Sequence, residues 1–234
     1  YLQMKPADVP EFIEKTLIGD EIVERLTYED PQTGKRIANL TDIPFYKHQK
    51  RILLENNAVV DPSDIRDYIA IGGYSALAKV LTKMKPEEVI KEANLRGRGG
   101  GGFPAGVKWE TTRRAPGEPK YVIVNGDEGD PGAYMDRSLL EGNPHGVLEG
   151  LIIGAYAIGA HEGFFYVRQE YPLALKNTQR ALEQAAQYGL LGEKILGTDF
   201  HFNVHIHRGA GAFGSGESSA LMTAIEGHVG EPRP

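Results

Sequence analysis

The chain predicts an α/β layer fold with a mainly parallel sheet, preceded by a helical segment. Three observations carry that expectation. Tyr121–Val124 and Phe164–Val167 are short continuous apolar runs, as in strands buried on both faces. Phe200–His207 alternates strictly, with Phe200, Phe202, Val204 and Ile206 on one face. Helical patterns follow each strand, and strand–helix repetition is what parallel βαβ units produce.

In chain order, Val9–Pro10 opens a helix through Leu17, with Gly19 past its end. Residues 29–46 are polar, contain a Pro-x-x-Gly turn and read as a linker. Asp61–Pro62 starts a helix that ends at Gly72–Gly73, by the cap-then-proline and terminal-glycine signals. A second helix covers Tyr74–Met84, and Pro86–Glu87–Glu88 opens a third that runs to Asn94. After the first strand, Asn143–Pro144 opens a helix that places Leu148, Leu151, Ile152, Ala155 and Tyr156 on one face. Pro172–Tyr188 is amphipathic and closed by Gly189, and Glu217–Glu226 is helical with Gly227 after it.

The 234 residues carry 41% hydrophobic and 25% charged side chains, ordinary for a globular protein. With no cysteine, they offer neither disulfides nor thiolate ligands. A net charge of −6 argues against a general nucleic-acid or membrane-surface role. The longest apolar stretch, from Val147, includes Glu149 and is too short to cross a bilayer. No basic-then-apolar leader opens the chain, and a soluble, cytoplasmic protein is expected. The abrupt start at Tyr1 and the closing GEPRP read as the ends of a piece of something longer.

The 29 glycines exceed the usual share of about 7% and gather in three loops. Gly97–Gly102 holds five of them around Arg98. It matches G-x-G-x-x-G by letter, but a helix precedes it where the dinucleotide fingerprint needs a strand. Bare backbone there can approach an anion or a flat ring, with Arg98 and Lys108 beside it; a hinge loop is the alternative. NGDEGDPG, from Asn125, follows a buried strand, at the edge where open α/β sheets bind ligands. Its acids, Asp127, Glu128 and Asp130, lack the spacing of a cation loop. GAGAFGSGESS, from Gly209, lies between strand and helix, and the helix amides with Ser215, Ser218 and Ser219 suit a phosphate. His201, His205 and His207 share a strand face; a polar strand is favoured over a metal site.

Together these loops resemble the flavin-binding subunit of respiratory NADH dehydrogenase, and more closely its relatives in NAD(P)-linked hydrogenases and formate dehydrogenases. The residues that carry the likeness are LRGRGGGGFPAGVKW, VNGDEGDPGAYMDR, NPHGVLEGLIIGAYAIGA, FFYVRQEYPLA, HRGAGAFGSGESSALMTAIEG and EPRP, over Ile43–Pro234. Departures include Gly101 for a frequent alanine, Ala105 for threonine, and GSGESS for the usual -CGEET-. Ser218 thereby replaces a glutamate expected near the ribose of NADH, which bears on NAD against NADP.

The resemblance implies an FMN-binding Rossmann-like domain over 47–234, after a linker at 29–46 and, at 1–28, the tail of a thioredoxin-like ferredoxin domain. It implies FMN contacts at Gly97, Arg98, Gly99, Gly100, Lys108, Asn125, Asp127, Glu128, Phe213, Gly214, Ser215, Gly216 and Glu217. It implies NAD(P)H contacts at Gly102, Phe103, Asp130, Glu217 and Ser218. No side chain need act as acid or base, because the flavin carries the hydride chemistry. Single electrons would pass to iron–sulfur partners: a thioredoxin-like 2Fe-2S subunit and a hydrogenase- or formate dehydrogenase-type subunit. The ubiquitin-like and 4Fe-4S domains expected after EPRP are absent from these residues. The rival readings are a non-catalytic docking subunit and a flavin-free nucleotide-binding enzyme.

Overall fold

The computed structural model describes residues 1–99 and 101–233. The chain divides into two compact units between Ile52 and Leu53. In the first, α1 (Val9–Phe12) runs on into a π-helical segment, Ile13–Ile18, with Gly19 as its C-cap. The segment read as a linker holds a small antiparallel hairpin, β1 (Tyr28–Glu29) with β2 (Arg36–Ile37), and a one-turn helix, α2 (Pro44–Lys47). Val23, Leu26 and Ile43 are buried, and Arg25 pairs with Asp8 at 2.8 Å and Glu11 at 2.5 Å.

The second unit begins with a helical layer, α3 (Ile65–Ala70), α4 (Ser75–Lys83), α5 (Pro86–Glu92) and α6 (Ala105–Arg114). β3 (Tyr121–Gly126), β4 (Glu162–Arg168) and β5 (Asn203–Gly209) then form a parallel sheet in the order β3-β4-β5. Between and after them come α7 (Met135–Gly142), α8 (Pro144–Ile158), α9 (Pro172–Gln187) and α10 (Ser218–Ile225). The architecture is the α/β arrangement expected from the alternating strands and helices.

The central helix is α8. Asn143 caps it by accepting the Gly146 N–H at 3.2 Å, Pro144 occupies its first turn, and left-handed Gly159 closes it. Leu148, Ile152 and Ala155 are fully buried in one cluster with Phe165 and Val167 of β4 and Phe202 before β5. Tyr156 points elsewhere, its hydroxyl donating to the carbonyl of Met84 at 2.8 Å.

Several boundaries differ from expectation. The helix expected from Asp61 starts at Ile65, because Asp61 is consumed in a turn with Ser63 and Asp64 is the cap, accepting the Arg66 N–H at 2.9 Å. The third strand starts at Asn203, after Phe200 and Phe202. Two helices have no clear local signal. α6, with its glycine, valine and two threonines, is a weak helix former held by contacts. A Cβ on Gly106 would lie 2.7 Å from the carbonyl of Ile90, and Trp109 packs against Gly154 of α8. α7 is capped from outside its own sequence, by Glu128.

The helical layer is fastened to α8 by one buried carboxylate. Tyr74 opens α4 in the left-handed region (φ 62°), and its side chain makes no cap. Glu149, 7% exposed, replaces that cap. Its Oε2 accepts the Tyr74 N–H at 2.9 Å and the Tyr68 hydroxyl at 2.7 Å, and its Oε1 accepts the Leu77 N–H at 2.9 Å. Next to it the Tyr74 hydroxyl donates to His145 Nδ1 at 2.8 Å, and His145 Nε2 donates to Gln184 Oε1 at 3.2 Å. That oxygen also takes the Ile65 N–H, which assigns the ring proton to Nε2. Burial holds His145 below its usual pKa, in keeping with a neutral ring. An amide at position 149 would turn an N–H group toward donors. Glu149→Gln is therefore expected to lower unfolding free energy by about 2 kcal/mol, read by urea denaturation; no loss would remove Glu149 as the fastener.

Candidate functional site

The parallel register brings the C-terminal ends of the three strands to one edge, pairing Gly126 with Val167 and Arg168 with Gly209. Ligands of open α/β sheets bind at such an edge. The loop after β3 and the loop after β5 meet there. Asn125 Nδ2 donates to the carbonyl of Gly216 at 2.8 Å, and a Cβ on Gly216 would stand 3.1 Å from the carbonyl of Asp127.

The first glycine loop is pinched at its stem. Arg96 forms an antiparallel bridge with Pro104, the Gly97 N–H donates to Phe103 O at 2.9 Å, and the Ala105 N–H to Leu95 O at 2.8 Å. Among the described glycines of the run, Gly102 is left-handed (φ 58°) and so needs to be glycine. A Cβ on Gly99 or Gly101 would meet no atom of the other described residues within 4 Å. The chain's own packing gives no reason for glycine at those two positions.

Between these loops lies a cavity of about 550 Å³, within the size range of small-molecule sites. Gly97, Arg98, Gly99, Gly102 and Phe103 line it from the glycine loop, Lys108 from α6, Asn125 and Asp127 from the β3 end, Gly216 from the loop before α10 and Ser218 from the first residue of α10. A larger groove of about 810 Å³ runs along α9 and β5, but its lining includes none of these residues.

Asp127 is the unusual group. Its side chain is 1% exposed, and Oδ1 lies 3.5 Å from Arg168 Nη1, which is long for an ion pair. Oδ2 is buried and has no hydrogen-bond partner among the described residues. Burial raises the Asp127 pKa, partly offset by Arg168. Arg168 is itself shared with Glu170 at 2.6 Å.

Other residues singled out in the sequence also serve the fold. The Glu128 carboxylate accepts the N–H groups of Asp136 and Arg137, each at 3.1 Å, and so caps α7. The N-terminus of α10, expected to suit a phosphate, is already capped: Glu217 accepts the Ser219 and Ala220 N–H groups, each at 2.9 Å. Hydrogen bonds from Ser219 hold the Glu217 pKa below the usual range. Ser215 is 3% exposed, and Asp130 and Gly214 are exposed and outside the cavity lining. Gly100 and the side chain of Phe213 lie outside the described residues.

Two lining residues were not among the expected contacts, Gly101 and Asp136. The run itself signals Gly101; nothing in the MDR tripeptide marks Asp136 as cavity-facing. The strand histidines have local partners. His205 pairs with Glu162 at 2.7 Å, while His207 stacks on Tyr166 and His201 on His161. Among the described residues, no group of three or more His, Asp or Glu is placed to hold a metal, and no helix is long and apolar enough to cross a membrane.

The Nuo51 FMN-binding domain family (Complex1_51K) matches residues 90–234, more than half of the chain and both glycine loops. The chain belongs to the Nuo51 FMN-binding domain family. It is similar to the NADP-reducing hydrogenase subunit HndC of Solidesulfovibrio fructosivorans, 51% identical over 80% of this chain and 38% of that protein. An NADH-quinone oxidoreductase subunit of Rhizobium meliloti (strain 1021) is 47% identical over 78% of this chain and 44% of that one. A solved NAD⁺-reducing [NiFe]-hydrogenase in the air-oxidized state superposes over 99% of this chain and 35% of that one, with a TM-score of 0.60 and 27% identity. This Nuo51-type chain thus spans less than half the length of these relatives.

The cap on α10 is separable from ligand binding. Glu217→Ala is expected to cost about 1 kcal/mol of stability with no ligand present, measured by urea unfolding. An unchanged midpoint would mean that the cap contributes nothing.

Proposed function

We propose that this chain is the FMN- and NAD(P)H-binding module of a multisubunit oxidoreductase. One observation carries the reading: Gly99 and Gly101 leave bare backbone beside a cavity where the chain's own packing does not ask for it. A flat ring lying against the loop is a reason for that bareness. The residues present fit FMN in a second respect. The unpartnered Asp127 Oδ2 requires a donor, which a ribityl hydroxyl would supply. Arg98 and Lys108 offer the positive charge that a phosphate or an electron-rich ring needs.

FMN, when bound, supplies two-electron exchange with NAD(P)H and one-electron exchange with iron–sulfur clusters. The protein's part is to bind, orient and exclude water. Gly97, Arg98, Gly99, Lys108, Asn125 and Asp127 would hold the flavin; Gly100, Phe213, Gly214, Ser215 and Gly216 complete the expected set. Phe103, 58% exposed at the cavity, offers an aromatic face for the adenine of NAD(P)H, and Gly102 and Ser218 lie beside it in the lining. Asp130 belongs to the same proposed substrate set. Glu128 and Glu217 belong to the flavin set as well, Glu217 also to the substrate set, and their carboxylates fix the helices α7 and α10 that frame the cavity.

These 234 residues contain no cysteine, so the iron–sulfur clusters belong to other polypeptide segments or subunits. The name of the hydrogenase relative supports a hydrogenase-type partner; a thioredoxin-like 2Fe-2S subunit and a cytoplasmic setting complete the proposal. Within this reading residues 1–28 are the tail of a thioredoxin-like domain, 29–46 the linker and 47–234 the flavin domain.

Gly99→Val would place a branched side chain in the ring's space. The purified variant is expected to lose its flavin absorbance in the visible spectrum while keeping the native fold by circular dichroism. Full flavin retention would overturn the site assignment.

Ser218 bears on the nucleotide. A glutamate there would repel a 2′-phosphate, by roughly 1 to 4 kcal/mol at 4 Å, whereas serine does not. Ser218→Glu is expected to lower the NADPH/NADH ratio of kcat/KM for flavin reduction at least about fivefold. An unchanged ratio would assign the choice to another group.

A further inference from the structure

Asp136 stands on the wall of the cavity, on the first turn of α7. Its N–H is spent on Glu128, but among the described residues its carboxylate receives no hydrogen bond and no ion pair. The charged groups around it are otherwise engaged or lie elsewhere in the lining. Glu128, from the β3–α7 loop, holds the amides of α7; Asp127, from the same loop, faces Arg168. Arg98 of the glycine loop and Lys108 of α6 line the cavity without pairing with Asp136. On α7 itself, Arg137 turns to Glu141 at 2.9 Å and lies over the ring of Tyr171. Burial first, and the charge of Glu128 second, push the Asp136 pKa up to about 6. A half-buried carboxylate without a protein donor is stabilised by a ligand that brings one.

We propose that Asp136 is a further ligand-binding residue of this cavity: in its ionised form it accepts a hydrogen bond from a hydroxyl or ring N–H of the bound flavin. Binding then favours the charged carboxylate and releases a proton wherever the free site is protonated. The sign follows. Because the free group is half protonated near pH 6, affinity is greatest above that pH and falls as the pH drops through it. The inference rests on the flavin reading.

The test is a titration of the full chain, stripped of flavin, with FMN, followed by quenching of flavin fluorescence from about pH 5 to about pH 8. The FMN phosphate also titrates near ~6, but equally for every variant. The difference between profiles therefore reports Asp136. At the alkaline end, Asp136→Asn is expected to weaken FMN binding about tenfold, the loss of a hydrogen bond to a charged group. At the acid end the two proteins should agree within about twofold, and Asp136→Glu should restore the slope. An Asp136→Asn profile that coincides with the parent overturns the inference and leaves the flavin reading standing. So does a loss equal at all pH values, which is what a merely structural effect would give. A parent that binds no FMN at any pH overturns both.

Discussion

The carboxylate of Glu149 does more than satisfy a helix end. α4 begins at a residue whose backbone points its own side chain away, and the amides there are buried. Without an acceptor they would each carry the penalty of an unmade hydrogen bond. The acceptor comes from α8, the helix that also packs against β4. One side chain thus ties the helical layer to the sheet. The consequence reaches the cavity, since α5 and α6 follow α4 and suspend the glycine loop between them. The position of that loop relative to Asp127 is set partly by a charge buried in the core.

The cavity is assembled from elements far apart in sequence, and close backbone approach makes this possible. Gly216 lets the loop before α10 lie on the loop after β3, and Gly106 lets α6 lie on α5. The surroundings are electrically mixed, with Arg98 and Lys108 against Asp127 and Asp136. Such a lining suits a ligand that has an anionic end and a hydroxyl-bearing middle, and it would be poor for a purely apolar one.

Much of this was legible in the chain, and the parts that were not share a cause. The strands announced themselves because a parallel sheet buries continuous apolar runs, and α8 and α9 because their proline starts and glycine stops are local signals. The glycine loops stood out by composition. α6 and α7 did not, since one is stabilised by neighbours and the other by a cap eight residues upstream. The same non-locality hid the cap that Glu128 makes on α7, whereas Glu217 caps amides only two and three residues on. Acids in a loop next to a cavity look like ligand contacts, and the fold adds that helix amides bond to them as well. Asp136 was invisible for the converse reason. An aspartate in a helical first turn is ordinary, and its interest lies in the lack of a partner.

The pinched stem of the glycine loop has a kinetic consequence. A free run of glycines would be entropically expensive to order around a ligand. Here the bridge between Arg96 and Pro104 and the bonds at Gly97 and Ala105 close the loop before any ligand arrives. Folding the chain has already met the ends-together cost of loop closure, so little of the binding energy goes into ordering. A receptor shaped in this way behaves as a preset clasp: its capture step is governed by diffusion and fit, and its hold by residence time.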